Sequence, residues 1–194
     1  ELTFTGQSNH AGTTPMHLRR DAGLAAARVA AHVPELVAGL GGAGVGTVGR
    51  VELHPNIVNV VAARATFTVD LRNTDDDLLR RAEEAVVAFA RDLADRDGLE
   101  LSVRSLVRFE PVALDPALVD LVESAATARG LRVRRLPSGA GHDAQMLARV
   151  CPAAMVFVPS AGGVSHNPAE HTDPDQLHAG LAVLTDVLCE LAGR

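Results

Sequence analysis

The first hundred residues switch between two apolar spacings, and that alternation constrains the fold more than any other feature. Leu2 and Phe4 alternate with Thr3 and Thr5, the period of a half-buried strand. Leu18, Ala22, Ala25, Val29 and Val33 then recur at steps of three and four, which predicts an amphipathic helix ended near Ala38 by Gly39. Val45, Thr47, Val51 and Leu53 predict a second strand, broken by His54-Pro55-Asn56. Val58 to Arg72 predicts a long third strand. Ala65, Phe67, Val69 and Leu71 fall on one of its faces, and Thr66, Thr68, Asp70 and Arg72 on the other. Leu78, Ala82, Val86, Phe89 and Leu93 predict a second helix, closed by Asp97-Gly98, and Leu99, Leu101 and Val103 a fourth strand. Strand, helix, strand, strand, helix, strand is the split βαβ, ferredoxin-like order. Both helices should cover one sheet face and leave the other open to a ligand or another domain.

The pattern changes near Glu110-Pro111. Asp115-Pro116 reads as an N-cap with proline at the first helical position, opening a helix that Gly130 ends. Residues 131–136 predict a strand, 144–149 a short helix, and the apolar run 153–158 a buried strand. Asp173-Pro174-Asp175-Gln176 reads as a capping box for a last helix reaching Leu191. Alternating helices and strands imply part of a parallel α/β sheet. That sheet has few strands, and the chain opens on Glu1 without a methionine, so the 194 residues are expected to be a piece of a longer protein. The expected fold class is thus α/β, with a division into residues 1–112 and 113–194. Aromatic content of 3% leaves a core of Ala, Val and Leu. A formal charge of -6 argues against a nucleic-acid partner, and no apolar run is long enough for a membrane span. Cys151 and Cys189 lie in apolar contexts and read as buried thiols of a reducing compartment.

Chemistry concentrates in a few short segments. Ser165 to Asp173 gathers two imidazoles and two carboxylates after the apolar run 153–158. His166 is the foremost metal-ligand candidate there, with Glu170 and His171 behind it. Pro168 prevents the helical register of H-E-x-x-H, and a polar loop capping the last helix is the plainer reading. Gly44 to Gly49 matches the dinucleotide fingerprint in letters only, because a loop precedes it and a strand follows. His10 sits in a Gly- and Thr-rich turn that either presents an imidazole at the domain edge or merely joins the first helix. Arg72 suits bidentate capture of a carboxylate, with Asn59 near the other end of the same strand; a surface pair with Asp70 is the alternative. In Ser138-Gly139-Ala140-Gly141-His142-Asp143 the glycines allow backbone N–H groups close to a ligand. His142 and Asp143 form an acid–base pair, or Asp143 caps the next helix. A nucleophilic Ser138 ranks low because no G-x-S-x-G elbow is present.

Together these segments resemble one family. Gly6-Gln7-Ser8-Asn9-His10-Ala11-Gly12-Thr13-Thr14-Pro15-Met16 with Arg20-Asp21-Ala22, Pro55 to Val61, and Phe67 to Arg72 look like the lid of the M20-type amidohydrolases. Residues 138–144, Phe157-Val158-Pro159-Ser160 and Ser165 to Glu170 look like the catalytic domain of that family. The branch is that of N-carbamoyl-L-amino-acid hydrolase, allantoate amidohydrolase and β-ureidopropionase.

The resemblance implies a ferredoxin-like lid (dimerisation) domain followed by the C-terminal part of an α/β metallohydrolase domain. It implies a homodimer formed through the lid, a cytoplasmic location, and two divalent metal ions, zinc or manganese, of which this chain alone is expected to hold none. His166 maps onto a metal ligand. His10 would hold the carbonyl or its oxyanion, and His142 would line the pocket. Asn59 and Arg72 would grip the substrate carboxylate, and the backbone of Gly139, Ala140 and Gly141 would contact the substrate. In the family these lid groups can serve the partner subunit's site. The implied reaction is hydrolysis of a ureido or amide C–N bond in a small carboxylate-bearing substrate, with hydroxide attacking the carbonyl from a metal bridge. Two alternatives stand beside it: a dimerisation and substrate-binding module without activity, and an M20 aminoacylase or peptidase.

Overall fold

Two short sequences, Leu2-Thr3-Phe4-Thr5 and Ala65-Thr66-Phe67, organise the N-terminal half, because each sends its large apolar side chains to the same side. In the computed structural model, which describes residues 1–193, they lie in adjacent strands of one four-stranded antiparallel sheet. The strands are β1 (Leu2–Thr5), β2 (Val45–His54), β3 (Arg64–Arg72) and β4 (Glu100–Val103), in the order β2-β3-β1-β4. With helices α1 (Ala22–Leu40) and α2 (Asp76–Asp97) in the two crossovers, this is the ferredoxin-like arrangement. The chain divides into two units, Glu1–Pro111 and Val112–Arg194.

In the first unit both helices cover one sheet face. Ala22, Ala25, Ala26, Val29 and Val33 of α1 and Val86, Ala90, Leu93 and Ala94 of α2 pack on Leu2, Phe4, Ala65 and Phe67. The Phe4 and Phe67 rings stack at 5.9 Å and are fully buried. Truncating either to alanine would cost about 3–5 kcal/mol. Asp21 and Asp75 cap the helices, each accepting a backbone N–H three residues on, from Leu24 and Leu78 at 3.0 Å. Gly98, at φ 65°, closes α2 in the left-handed region that favours glycine. The opposite sheet face is polar. Thr3 and Thr66 hydrogen-bond across it at 3.1 Å, and Asp70 and Arg72 share it with Arg50 and Glu52. The Gly44–Gly49 run leads into β2, with no helix behind it.

Three expectations shift here. The first helix begins at Ala22, and Leu18 lies exposed in a separate 3₁₀ turn, Met16–Leu18, because Asp21 provides the cap. The third strand begins at Arg64 and not at Val58, which is exposed. Residues 59–61 leave the sheet to pair with the His10 segment instead.

The second unit contains α3 (Pro116–Ala128), α4 (Asp143–Leu147) and α5 (Pro174–Ala192). Asp115 and Asp173 cap α3 and α5 as their sequences predict. Bidentate bonds of 2.6 and 2.7 Å from Arg129 to Asp186 tie the end of α3 to α5. The expected strands at 131–136 and 153–158 do not form, and Phe157 and Leu136 are exposed. A helix satisfies its own backbone groups, whereas a strand needs a neighbour, and among the described residues neither segment has one. Segment 153–158 instead lies against α5, where a side chain at Gly180 would come within 2.5 Å of Val158. Leu177, Leu181, Leu184, Leu188 and Leu191 line one stripe of α5 and are 38% to 61% exposed. Both cysteines, expected to be buried, are exposed. Among the described residues no helix is long and apolar enough to cross a membrane.

Candidate active site

The turn after β1 is held by backbone and side-chain bonds from several directions. Gly6 starts it, donating to Ala63 O at 2.7 Å, while the Arg20 carbonyl crosses so close that a Cβ on Gly6 would lie 2.1 Å from its oxygen. Beyond it, His10 pairs with Val60 in an isolated antiparallel bridge. Ala11 N–H donates to Asn59 O and Val61 N–H to Asn9 O, each at 2.9 Å. This bridge brings the sequence-predicted His10 and Asn59 together.

His10 is fixed further by its own loop. Gly12 N–H donates to His10 Nδ1 at 3.0 Å, so in the neutral ring the proton sits on Nε2. His10 O accepts from the Thr14 hydroxyl at 2.7 Å, and Thr14 is buried. Arg19 then clasps the loop, donating from Nε to Thr14 O at 3.0 Å and from Nη2 to Ala11 O at 2.5 Å. Sequence reasoning missed Thr14 and Arg19. Their signal was an arginine two residues before the Asp21 helix cap, following a Thr-Thr-Pro turn.

Arg72 stands elsewhere. It ends β3 on the polar face, where Asp70 Oδ1 accepts from its Nε at 2.9 Å and Asp70 Oδ2 from Nη2 at 2.7 Å. The bonds to Arg72 hold the Asp70 carboxyl below its ordinary range, and the same bonds raise the guanidinium. His10 and Asn59 lie beyond the Arg64 end of the strand. At about 3.3 Å per residue, the eight steps from Arg64 to Arg72 span roughly 26 Å. Asn59 and Arg72 of one chain therefore stand at opposite ends of the sheet.

In the second unit, His142 repeats the device of His10. It is the N-cap of α4, its Nδ1 accepting Ala144 N–H at 3.0 Å, which again leaves Nε2–H as the donor. The imidazole thus takes the capping place that one of the two readings of the sequence gave to Asp143. Gly139, Ala140 and Gly141 lie in an exposed loop, and the Ser138 hydroxyl bonds to the Ala140 backbone at 3.3 Å within it.

His166 adopts φ 55°, a left-handed conformation uncommon for a residue with a Cβ. Glu170 holds it there, one oxygen accepting His166 N–H at 2.8 Å and the other the Ser165 hydroxyl at 3.4 Å. Glu170 is thereby engaged as a loop brace. Among the described residues no group of three or more His, Cys, Asp and Glu side chains gathers to hold a metal ion.

The sequence profile of peptidase family M20/M25/M40 matches residues 6–190. Over 191 residues the chain is 39% identical to an allantoate amidohydrolase of Escherichia coli (strain K12), covering 98% of this chain and 46% of that one. It is 38% identical over 192 residues to an N-carbamoyl-L-amino-acid amidohydrolase of Rhizobium meliloti, covering 99% and 46%. A crystal structure of an amidase of the hydantoinase/carbamoylase family from Burkholderia multivorans superposes with a TM-score of 0.89 at 44% identity, covering 96% of this chain and 45% of that chain. The chain thus spans about half the length of the relatives it matches.

Proposed function

The chain belongs to peptidase family M20/M25/M40, and from that premise we propose that it supplies the lid and the second part of the catalytic domain of an amidohydrolase. Residues 1–112 form the lid in this reading, and 113–194 the catalytic part. The reaction is hydrolysis of a C–N bond in a small ureido or amide substrate that carries a carboxylate: an N-carbamoyl-L-amino acid, allantoate or ureidopropionate.

The observation that carries this reading is the bond from Gly12 N–H to His10 Nδ1, which leaves Nε2–H as a donor on a turn bridged by backbone bonds to the Asn59 segment. Donated to the scissile carbonyl, it stabilises the charge that grows on oxygen as the carbon turns tetrahedral. One such donor contributes about 2.7–4 kcal/mol. His142 offers the same tautomer from its loop, and the Gly139, Ala140 and Gly141 backbone contacts the substrate. Arg72 grips the carboxylate and orients the molecule.

A carbamoyl amino acid is about as long as a dipeptide, roughly 7 Å. His10 and Arg72 of one chain are too far apart to hold it together, so in this reading they come from two copies of a homodimer that meet at one substrate. Asn59 then works with the His10 of its own chain.

Members of the family are generally metal-dependent. The side chains of this chain do not by themselves fit such a centre, since His166 is left without companion ligands among the described residues. We assign His166 as one ligand to two divalent ions, zinc or manganese, whose other ligands lie outside this sequence. The isolated chain is then inactive, and the enzyme acts in the cytoplasm. The test is turnover of the three substrates by the full-length protein supplied with zinc or manganese. Replacing Arg72 by Ala should raise KM for each at least about tenfold, as loss of a charge-assisted fork predicts. Turnover of none of them by the wild-type enzyme would overturn the assignment.

A further inference from the structure

We propose that Arg19 is a positioning residue for His10, holding the turn so that the imidazole keeps its Nε2–H aimed at the substrate carbonyl. The inference rests on the reading of His10 as the donor to the growing oxyanion and adds a residue to it. Ala11-Gly12-Thr13-Thr14 follows His10 in neither helix nor strand. Left to itself, a turn of small residues would let the ring wander further than catalysis tolerates.

The turn is closed from behind in two layers. The buried Thr14 donates its hydroxyl to His10 O at 2.7 Å and its N–H to the same oxygen at 3.2 Å. Arg19 then donates from Nε to Thr14 O at 3.0 Å and from Nη2 to Ala11 O at 2.5 Å. Ala11 directly follows His10, and Thr14 grips the His10 carbonyl itself, so the fork joins both ends of the segment that carries the ring. The donors of a guanidinium lie in one rigid plane, and Nε with Nη2 therefore fixes the spacing of the two carbonyls. Between those carbonyls stands Gly12, whose N–H selects the His10 tautomer. Arg20 is the contrast. It carries the same charge one residue on, but its Nε donates to Gly98 O at 2.5 Å, at the end of α2 and away from this turn.

The experiment measures kcat and KM on an N-carbamoyl-L-amino acid in the full-length enzyme supplied with zinc or manganese. Wild type is compared with His10→Ala, Arg19→Ala, Arg20→Ala and the double variant His10→Ala/Arg19→Ala. His10→Ala should lower kcat about a hundredfold or more. Arg19→Ala should lower kcat about tenfold with KM within about twofold, the signature of an interaction made only in the transition state. In the His10→Ala background it should cost nothing further, since groups acting as a unit are not additive. Arg20→Ala should stay within about twofold of wild type in kcat. An equal loss from Arg19→Ala with and without His10 would mean that it acts elsewhere or merely unfolds part of the enzyme, and the positioning role falls. A loss from Arg20→Ala matching that from Arg19→Ala would assign the effect to charge alone and overturn the role equally. If His10→Ala lowers kcat and Arg19→Ala does not, the positioning role falls and the donor reading stands. If His10→Ala leaves kcat unchanged, the donor reading itself falls and the positioning role with it.

Discussion

The backbone N–H of Gly12 points at Nδ1 of His10 from 3.0 Å, and that single bond decides which nitrogen of the ring carries the proton. Ala144 does the same for His142 from the same distance. In nitrogen-resolved NMR of the chain, the neutral form of both rings should report a bare Nδ1 and a protonated Nε2. A protonated Nδ1 on His10 would contradict the orientation on which the donor role depends.

Arg19 should act through the loop and not through the core. Its two bonds reach the carbonyls of Ala11 and Thr14. Replacing it by Ala leaves two partly buried acceptors unpaired, a loss of about 1–3 kcal/mol. Hydrogen exchange should quicken at Ala11 to Thr14 and stay as before in α2. Uniform acceleration through the first unit would mean that Arg19 holds more than the loop.

Gly6 tolerates no side chain where it lies. A Cβ placed 2.1 Å from Arg20 O forces the turn away from α1. Gly6→Ala should destabilise the first unit by several kcal/mol in denaturant titration, as expected for overpacking against rigid backbone. Gly49→Ala meets nothing within 4 Å and should stay within about 0.5 kcal/mol of the parent. Similar losses at both positions would refute the close approach.

Acid should loosen the second unit through Asp186. Its bonds to Arg129 hold the carboxyl below its ordinary value of 3.8. A lowered folded-state value means that the stabilisation is complete above that pH and fades as pH falls through the folded value. Melting followed from pH 6 to pH 2 should show an acid limb beginning just under pH 4 that Asp186→Asn shortens. An identical limb in the variant would show that the pair contributes nothing measurable.

The first unit was largely legible in the sequence because its strands carry a clean two-residue alternation around Phe4 and Phe67, and its helices carry their own caps. The boundary error at Val58 has a cause the pattern hides: Asn59 and Val60 are apolar-flanked like a strand, but their partners belong to the His10 loop. In the second unit, helices could be read from Asp115 and Asp173, since a helix needs only its own residues. Segments 131–136 and 153–158 have strand composition, yet strand structure depends on a neighbouring edge. His10, Arg72 and His166 could be singled out as candidates from motif. The Asp70–Arg72 pair was also legible, from alternation along one strand; the tautomers and the Arg19 clasp were not, because they depend on how the turns fold back on themselves.

The length of β3 carries a consequence for genetics. If His10 and Arg72 serve one substrate from two chains, enzymes mutated at either position should rescue each other. A mixed pair of His10→Ala and Arg72→Ala subunits retains one intact catalytic centre, built from the undamaged half of each mate. Neither parent has any. Coexpression should therefore restore turnover at substrate concentrations too low for either variant alone, whereas a strand short enough to serve one centre in cis would leave the mixture as weak as its parents.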